Sequence, residues 1–198
     1  MKNLILVING HPSRKSFTAS LAESYADGVR ASLGNVRILH LGDMKFDPSL
    51  HEGYREVMPL ESDLQAAQAL ISQAKHIVFF YPQWWGSCPA ILKGFIDRVF
   101  LPGFAFRYHE KGALWDKLLK GRSGEIWLMS DSPWIWFFFK YWNSPIKWLK
   151  TATLEFSGIR PVKIHIVDRV RFLTPKQLTS RLDTARLAGI AAAKRVDG

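Results

Sequence analysis

Cysteine is nearly absent: Cys88 stands alone in 198 residues, which excludes an intrachain disulfide and any multi-cysteine metal cluster. A reducing, cytoplasmic setting is expected. No apolar run reaches the ~20 residues that a spanning helix needs, because Lys140 and Lys147 interrupt the richest candidate. The opening run Leu4-Ile5-Leu6-Val7-Ile8 is too short for a secretion signal and no small-residue cleavage site follows it. Glycine-rich phosphate cradles are missing as well. Neither GxGxxG nor GxxxxGKS occurs, which disfavours a classical dinucleotide or nucleoside-triphosphate loop. His40, His51, His76, His109 and His165 show no ligand spacing, so no metal site is expected. Acidic residues are scarce: 17 Asp and Glu stand against 27 Lys and Arg, a net charge of +10 that biases the surface toward anionic partners. No nucleic-acid motif accompanies that charge, and nucleic acid is not expected to bind.

What is present suits one globular unit, residues 1–198, with 47% hydrophobic and 22% charged residues. The continuous apolar run Leu4–Ile8 reads as a strand covered on both faces, His76–Tyr81 as the clearest buried strand, and Val36–Leu41, Glu125–Ser130 and Val162–Val167 as three further strands. Between them, Phe17, Leu21, Tyr25, Val29 and Leu33 recur every four residues and predict a helix over 16–33. Further helices are predicted over 61–74, 89–100 and 174–195, the third opening on Pro89 and the last on Pro175. Alternating strands and helices imply a doubly wound α/β sandwich. Its five-stranded parallel sheet is expected in the order 2-1-3-4-5, with helices on both faces. Ligands in such sheets sit beyond the carboxyl ends of strands one and three, where the winding reverses.

Two loops occupy that place. The first, Gly10-His11-Pro12-Ser13-Arg14-Lys15-Ser16-Phe17-Thr18, sets hydroxyls, cations and a helix start after strand one, a pattern suited to a phosphate. The alternative is that Ser16 merely caps the helix and His11 is a solvated turn residue. The second loop, Pro82-Gln83-Trp84-Trp85-Gly86, places aromatics beside a glycine at a strand end, which suits a flat ring system. The alternative there is that Trp84 and Trp85 fill core.

The second segment resembles the NAD(P)H:quinone oxidoreductase branch of the flavodoxin-like superfamily. The likeness runs from Pro82 through Val99 and includes Pro89-Ala90-x-Leu92-Lys93-Gly94-x-x-Asp97-Arg98-Val99. Gly10, His11, Ser16, Phe17 and Thr18 match the family's first loop, and Leu101–Phe106 and Phe156–Ile159 extend the likeness over most of the chain. The resemblance implies a flavodoxin-like fold and a flavin nucleotide, FMN or FAD with FMN favoured. It also implies hydride transfer from NAD(P)H, two-electron reduction of a quinone-like acceptor in a ping-pong cycle, and a homodimer. His11, Ser16, Phe17 and Thr18 would contact the phosphate; Pro82, Gln83, Trp84, Trp85 and Gly86 would line the isoalloxazine. Ser130-Asp131-Ser132-Pro133 stands where the family has Thr-x-Gly-Gly. Ser130 and Asp131 are placed beside the cofactor by that position, and no acid or base role is assigned. Relatives that serve as ancillary subunits of membrane transport systems provide a second reading.

Four of the eight Trp (Trp134, Trp136, Trp142, Trp148) fall in one aromatic stretch. A pocket wall, a dimer face and a membrane-contacting surface compete for it, the first two preferred. Cys88 reads as a small core filler, and Asp97 and Arg98 as partners in structural ion pairs.

Overall fold

The computed structural model describes residues 3–197. Along them run β1 Leu4–Asn9, α1 Phe17–Ala31, β2 Asn35–His40, α2 Ser62–Gln73, β3 Ala74–Pro82, α3 Ala90–Val99, β4 Phe106–Tyr108 and β5 Trp115–Lys117. β6 Ser123–Met129, α4 Trp134–Phe139, α5 Ser144–Leu149, β7 Val162–Val167 and α6 Pro175–Asp197 follow. Five strands form one parallel sheet in the order β2-β1-β3-β6-β7. This is the expected 2-1-3-4-5 order once the small antiparallel pair β4–β5 is set aside.

Every residue of β1 is buried because helices cover both faces of the sheet. On one face Leu6, Ile8, Ile77, Phe79 and Leu128 pack with Leu64 of α2, Leu92 and Phe95 of α3 and Leu149 of α5. On the other, Ile5, Val7, Phe80 and Trp127 meet Leu21, Tyr25 and Val29 of α1 and Ala185 and Ala192 of α6. Each such side chain contributes about 1.5–3 kcal/mol by leaving water. The alternation of these residues along each strand follows the two-residue period of a pleated chain.

Two glycines let α1 and α6 touch backbone to backbone. A Cβ on Gly28 would stand 1.9 Å from the Arg186 carbonyl oxygen, and one on Gly189 would stand 2.0 Å from that of Tyr25. The same face buries a charge. Glu125 on β6 is 2% exposed; its carboxylate lies 3.0 Å from Arg195 of α6, 3.5 Å from His76 and 3.4 Å from His165. Burial alone would raise its pKa, but the adjacent His165 and His76 rings and the hydrogen bond from Arg195 outweigh that and hold the carboxyl well below the usual range.

The hairpin β4–β5 and the helices α4 and α5 have no counterpart in the sequence reading. Strands of three residues and helices of six are too short to show a period. Trp142 and Asn143, both left-handed (φ 49° and 59°), divide the aromatic stretch into two helices.

Candidate functional site

The site grows from the reversal between β1 and β3. The Gly10 N–H, just past β1, donates to the Phe80 carbonyl of β3 at 2.7 Å, so the loops after these two strands lie side by side. A buried polar relay fixes the first loop. Asn9 accepts the His11 N–H (3.2 Å), its amide donates to His40 Nδ1 (3.1 Å), and His40 Nε2 donates to Glu23 (3.0 Å). Gly42 supports the loop from beneath, where a Cβ would collide with the Pro12 carbonyl oxygen at 1.9 Å.

α1 then starts at Phe17 with Ser16 as its cap, the Ser16 hydroxyl accepting the Ala19 N–H at 3.2 Å. The capping alternative is therefore realised, and Ser16 lines a cleft as well. The N–H groups of Phe17 and Thr18, at the first two helical positions, have no intrahelical acceptor and lie where an anion is favoured. His11 Nδ1 lies 2.9 Å from the Ser13 N–H and 3.1 Å from the Ser13 carbonyl oxygen; in the neutral tautomer that accepts the Ser13 N–H, the ring proton sits on Nε2. Partial burial lowers the His11 pKa, with the Ser13 carbonyl a smaller opposing influence.

The second loop is a tight hairpin turn. Trp84 and Ser87 exchange backbone hydrogen bonds, 2.9 and 3.3 Å, around Trp85 (φ 50°) and Gly86 (φ 72°). An aromatic residue in the left-handed region is strained, and Trp85 projects fully into solvent. Trp84 meets His11 edge to face at 5.6 Å, joining the two loops. The Gln83 N–H donates to the Met129 carbonyl at 2.7 Å, and its side-chain oxygen accepts the Ser130 hydroxyl at 3.1 Å, so its amide NH₂ remains a donor. The Asp131 carboxylate accepts the Arg171 N–H at 2.9 Å and thereby fixes the loop after β7.

One cleft of about 460 Å³ gathers all these groups. It is lined by His11, Ser16, Phe17, Thr18, Pro82, Gln83, Trp84, Trp85, Gly86, Ser130 and Asp131, the residues expected from the sequence to stand beside a cofactor. Met129, Ser132, Tyr141 and Val170 also line it and were missed. Tyr141 lies in the aromatic stretch and belongs to no motif that would mark it; a Cβ on Gly86 would stand 3.3 Å from its ring. The Asn9–His40–Glu23 relay was missed too, its one signal being a polar residue closing an apolar strand.

Other residues stay outside. Cys88 packs against the core, and burial pushes its thiol pKa up to about 11, so it is no thiolate nucleophile at neutral pH. Asp97 pairs with Lys93 at 2.7 Å. Buried Arg98 binds Glu61 (2.8 Å) and the carbonyls of Asp47 and Pro59, fastening the long loop before α2. Among the described residues no group of three or more His, Cys, Asp or Glu could hold a metal ion.

The donors and walls of the cleft fit a flavin nucleotide. Amides, hydroxyls and the His11 Nε2–H stand at one end for a phosphate. The Pro82–Gly86 backbone, the Gln83 amide and the indoles suit a flat ring with a polar edge.

Comparisons agree with this fold. An orangutan (Pongo abelii) ribosyldihydronicotinamide dehydrogenase [quinone] is 29% identical over 182 residues, spanning 79% of this chain and 77% of that protein. The solved NAD(P)H:quinone oxidoreductase of Methanothermobacter marburgensis superposes with a TM-score of 0.80 at 24% identity, over 97% of this chain and 100% of that one. An FMN-dependent NADH-azoreductase of Bacillus anthracis, solved in complex with FMN, superposes with a TM-score of 0.71 at 21% identity, covering 99% and 100%. Residues 3–188 match the profile of the family described as Flavodoxin-like fold, and the chain belongs to that family.

Proposed function

We propose that the chain is a flavin-dependent NAD(P)H oxidoreductase that reduces a quinone-like acceptor by two electrons, with FMN as its flavin. The observation that carries this reading is the convergence of an anion-ready helix start and a rigid aromatic turn on one cleft. The quinone dehydrogenase relative and the FMN-holding azoreductase structure support the substrate class and the choice of FMN.

In this reading the Phe17 and Thr18 amides, the Thr18 hydroxyl and His11 Nε2–H hold the phosphate, and Ser16, whose hydroxyl donates to the Ser13 carbonyl and accepts the Ala19 N–H, fixes the helix start against it. The Gln83 amide and the backbone of the Trp84–Ser87 turn meet the polar edge of the ring. Trp84 and Tyr141 wall the cleft beside the reacting face, while Trp85 stands at its rim in solvent. The flavin, when bound, supplies the redox chemistry, accepting hydride from NAD(P)H and passing two electrons to the acceptor in a ping-pong sequence. The protein's part is position and field. Pairing of two copies, a cytoplasmic location and one domain over residues 1–198 belong to the same proposal.

The test is direct. Purified protein should be yellow, release FMN on denaturation, and oxidise NADH or NADPH only when a quinone or azo dye is added, with parallel double-reciprocal plots. An apoprotein that takes up neither FMN nor FAD would end the proposal.

A further inference from the structure

Residues 132–154 contain no aspartate or glutamate, yet hold Lys140, Lys147 and Lys150 and seven aromatics between Trp134 and Trp142. Burial does not account for these aromatics. Within 134–142 only Phe137 is buried; Phe139 is 69% exposed and Trp142 77%. The left-handed pair Trp142 and Asn143 turns the chain between α4 and α5 and keeps the Trp142 ring outward. Lys140 lies over the exposed Trp136 ring, its Nζ 4.4 Å from the centroid. Two flanking acids are engaged with backbone or arginine: Asp131 with the Arg171 N–H (2.9 Å), and Asp168 with the Trp134 N–H (3.2 Å) and Arg169 (3.6 Å). Glu155 neutralises Lys150 at 3.9 Å, whereas Lys140 and Lys147 are exposed, so the surface is apolar, aromatic and positive through these two lysines.

We infer that this surface docks peripherally on an anionic lipid bilayer. Indole and phenyl rings suit the headgroup boundary, and interspersed lysines suit anionic headgroups. A second copy is a poorer occupant, because two-fold pairing on this patch would bring Lys140 and Lys147 of both copies into one interface, and residues 132–154 hold no carboxylate to pair with them. Among the described residues no helix is long and apolar enough to cross a membrane, so the contact is with the surface. Tyr141 belongs both to this stretch and to the cleft wall. Docking therefore brings the cleft beside the lipid and favours acceptors dissolved in it, a consequence that rests on the quinone-reductase reading above.

The test is co-sedimentation of the full chain with vesicles of phosphatidylcholine alone or mixed with phosphatidylglycerol. Binding is expected only to the mixed vesicles and should fall with salt. Each lysine near an anionic surface strengthens binding roughly fivefold, so Lys140→Glu with Lys147→Glu should weaken it by more than about 25-fold. Phe138→Ser with Phe139→Ser should weaken it with charge unchanged. Equal binding to both vesicle types, no binding at all, or a dimer that these variants convert to monomer would overturn the inference, the last because the patch would be a subunit face. As a second readout, the lysine variant should reduce a short, water-soluble quinone normally and lose rate only with a long-tailed quinone in anionic vesicles. Failure of the unaltered protein to reduce either quinone would refute the enzyme reading while sedimentation still decides the docking.

Discussion

Ser16 and Thr18 stand two positions apart on the cleft rim, yet substitutions there should separate folding from binding. The Ser16 hydroxyl accepts the Ala19 N–H and donates to the Ser13 carbonyl at 2.8 Å, so Ser16→Ala removes a helix cap and a loop bond together. Loss of such a cap costs about 1 kcal/mol, and a lower melting temperature should accompany weaker FMN binding. Thr18→Val keeps the shape of a buried, β-branched residue and removes only a hydroxyl from the cleft. A hydrogen bond to a charged group contributes about 1.5–3 kcal/mol, so FMN affinity should drop roughly 10- to 100-fold with little change in melting. Fluorescence-quenching titrations of the apoprotein, with thermal melts, check both; equal effects of the two variants on melting would contradict the division of roles. These residues were legible because they follow an apolar strand and open a helix. Tyr141 was not, since its approach to Gly86 depends on the Ser144 hydroxyl reaching the Gly86 carbonyl at 3.1 Å, 58 positions away in sequence. Asn9 paired with His40 across 31 positions is equally invisible to local pattern.

Among the elements, α1 and α6 depend on each other most closely, because their crossing has no room for side chains at Gly28 and Gly189. A methyl group at either position would meet a carbonyl oxygen at about half a normal contact distance, and backbone cannot rotate away as a side chain can. Gly28→Ala or Gly189→Ala should therefore push the helices apart and destabilise the fold by at least about 1–3 kcal/mol, despite the better helix propensity of alanine. Urea denaturation measures this; a neutral or stabilising result would mean the helices pack more loosely than the structure shows. The periodicity of α1 and the apolar runs of the sheet strands were readable because each buries one stripe or both faces. Their ends shifted by one or two residues, β2 to Asn35–His40 and β6 to Ser123–Met129. The segment from Phe104 to Leu154 was harder. There the hairpin, α4 and α5 are held by contacts to other elements, such as the Tyr81 hydroxyl donating to the Pro145 carbonyl at 2.6 Å.

The chain as a whole carries ten more positive than negative charges, so the few carboxylates it buries matter beyond their own neighbourhoods. Glu125 ties β3, β6 and β7 to the last turn of α6 through His76, His165 and Arg195, at the end of the sheet remote from the cleft. Removing one partner of a fully buried ion pair costs about 3–5 kcal/mol, but Arg195 is 37% exposed and water screens the charge left behind, so the cost here falls to about 1–3 kcal/mol. Glu125→Gln should lose stability on that scale at pH 7, measured by urea denaturation, while keeping its FMN affinity in the protein that remains folded. The sign of the pH dependence follows from the depressed pKa. A carboxylate that is harder to protonate when folded takes up protons on unfolding, so its contribution is complete above the ordinary carboxylate pKa near ~4.3 and is lost as the pH falls below it. Glu61 acts in the same direction: burial raises its pKa, but backbone N–H groups and Arg98 more than offset this and lower it. Stability of the unaltered chain should therefore decline between about pH 5 and pH 3, and the Gln variant should decline less steeply by one group's share, up to about 1.4 kcal/mol per pH unit. Parallel stability profiles for the two proteins across that interval would mean that Glu125 is protonated in the folded chain and that the histidine–arginine cluster does not hold a carboxylate.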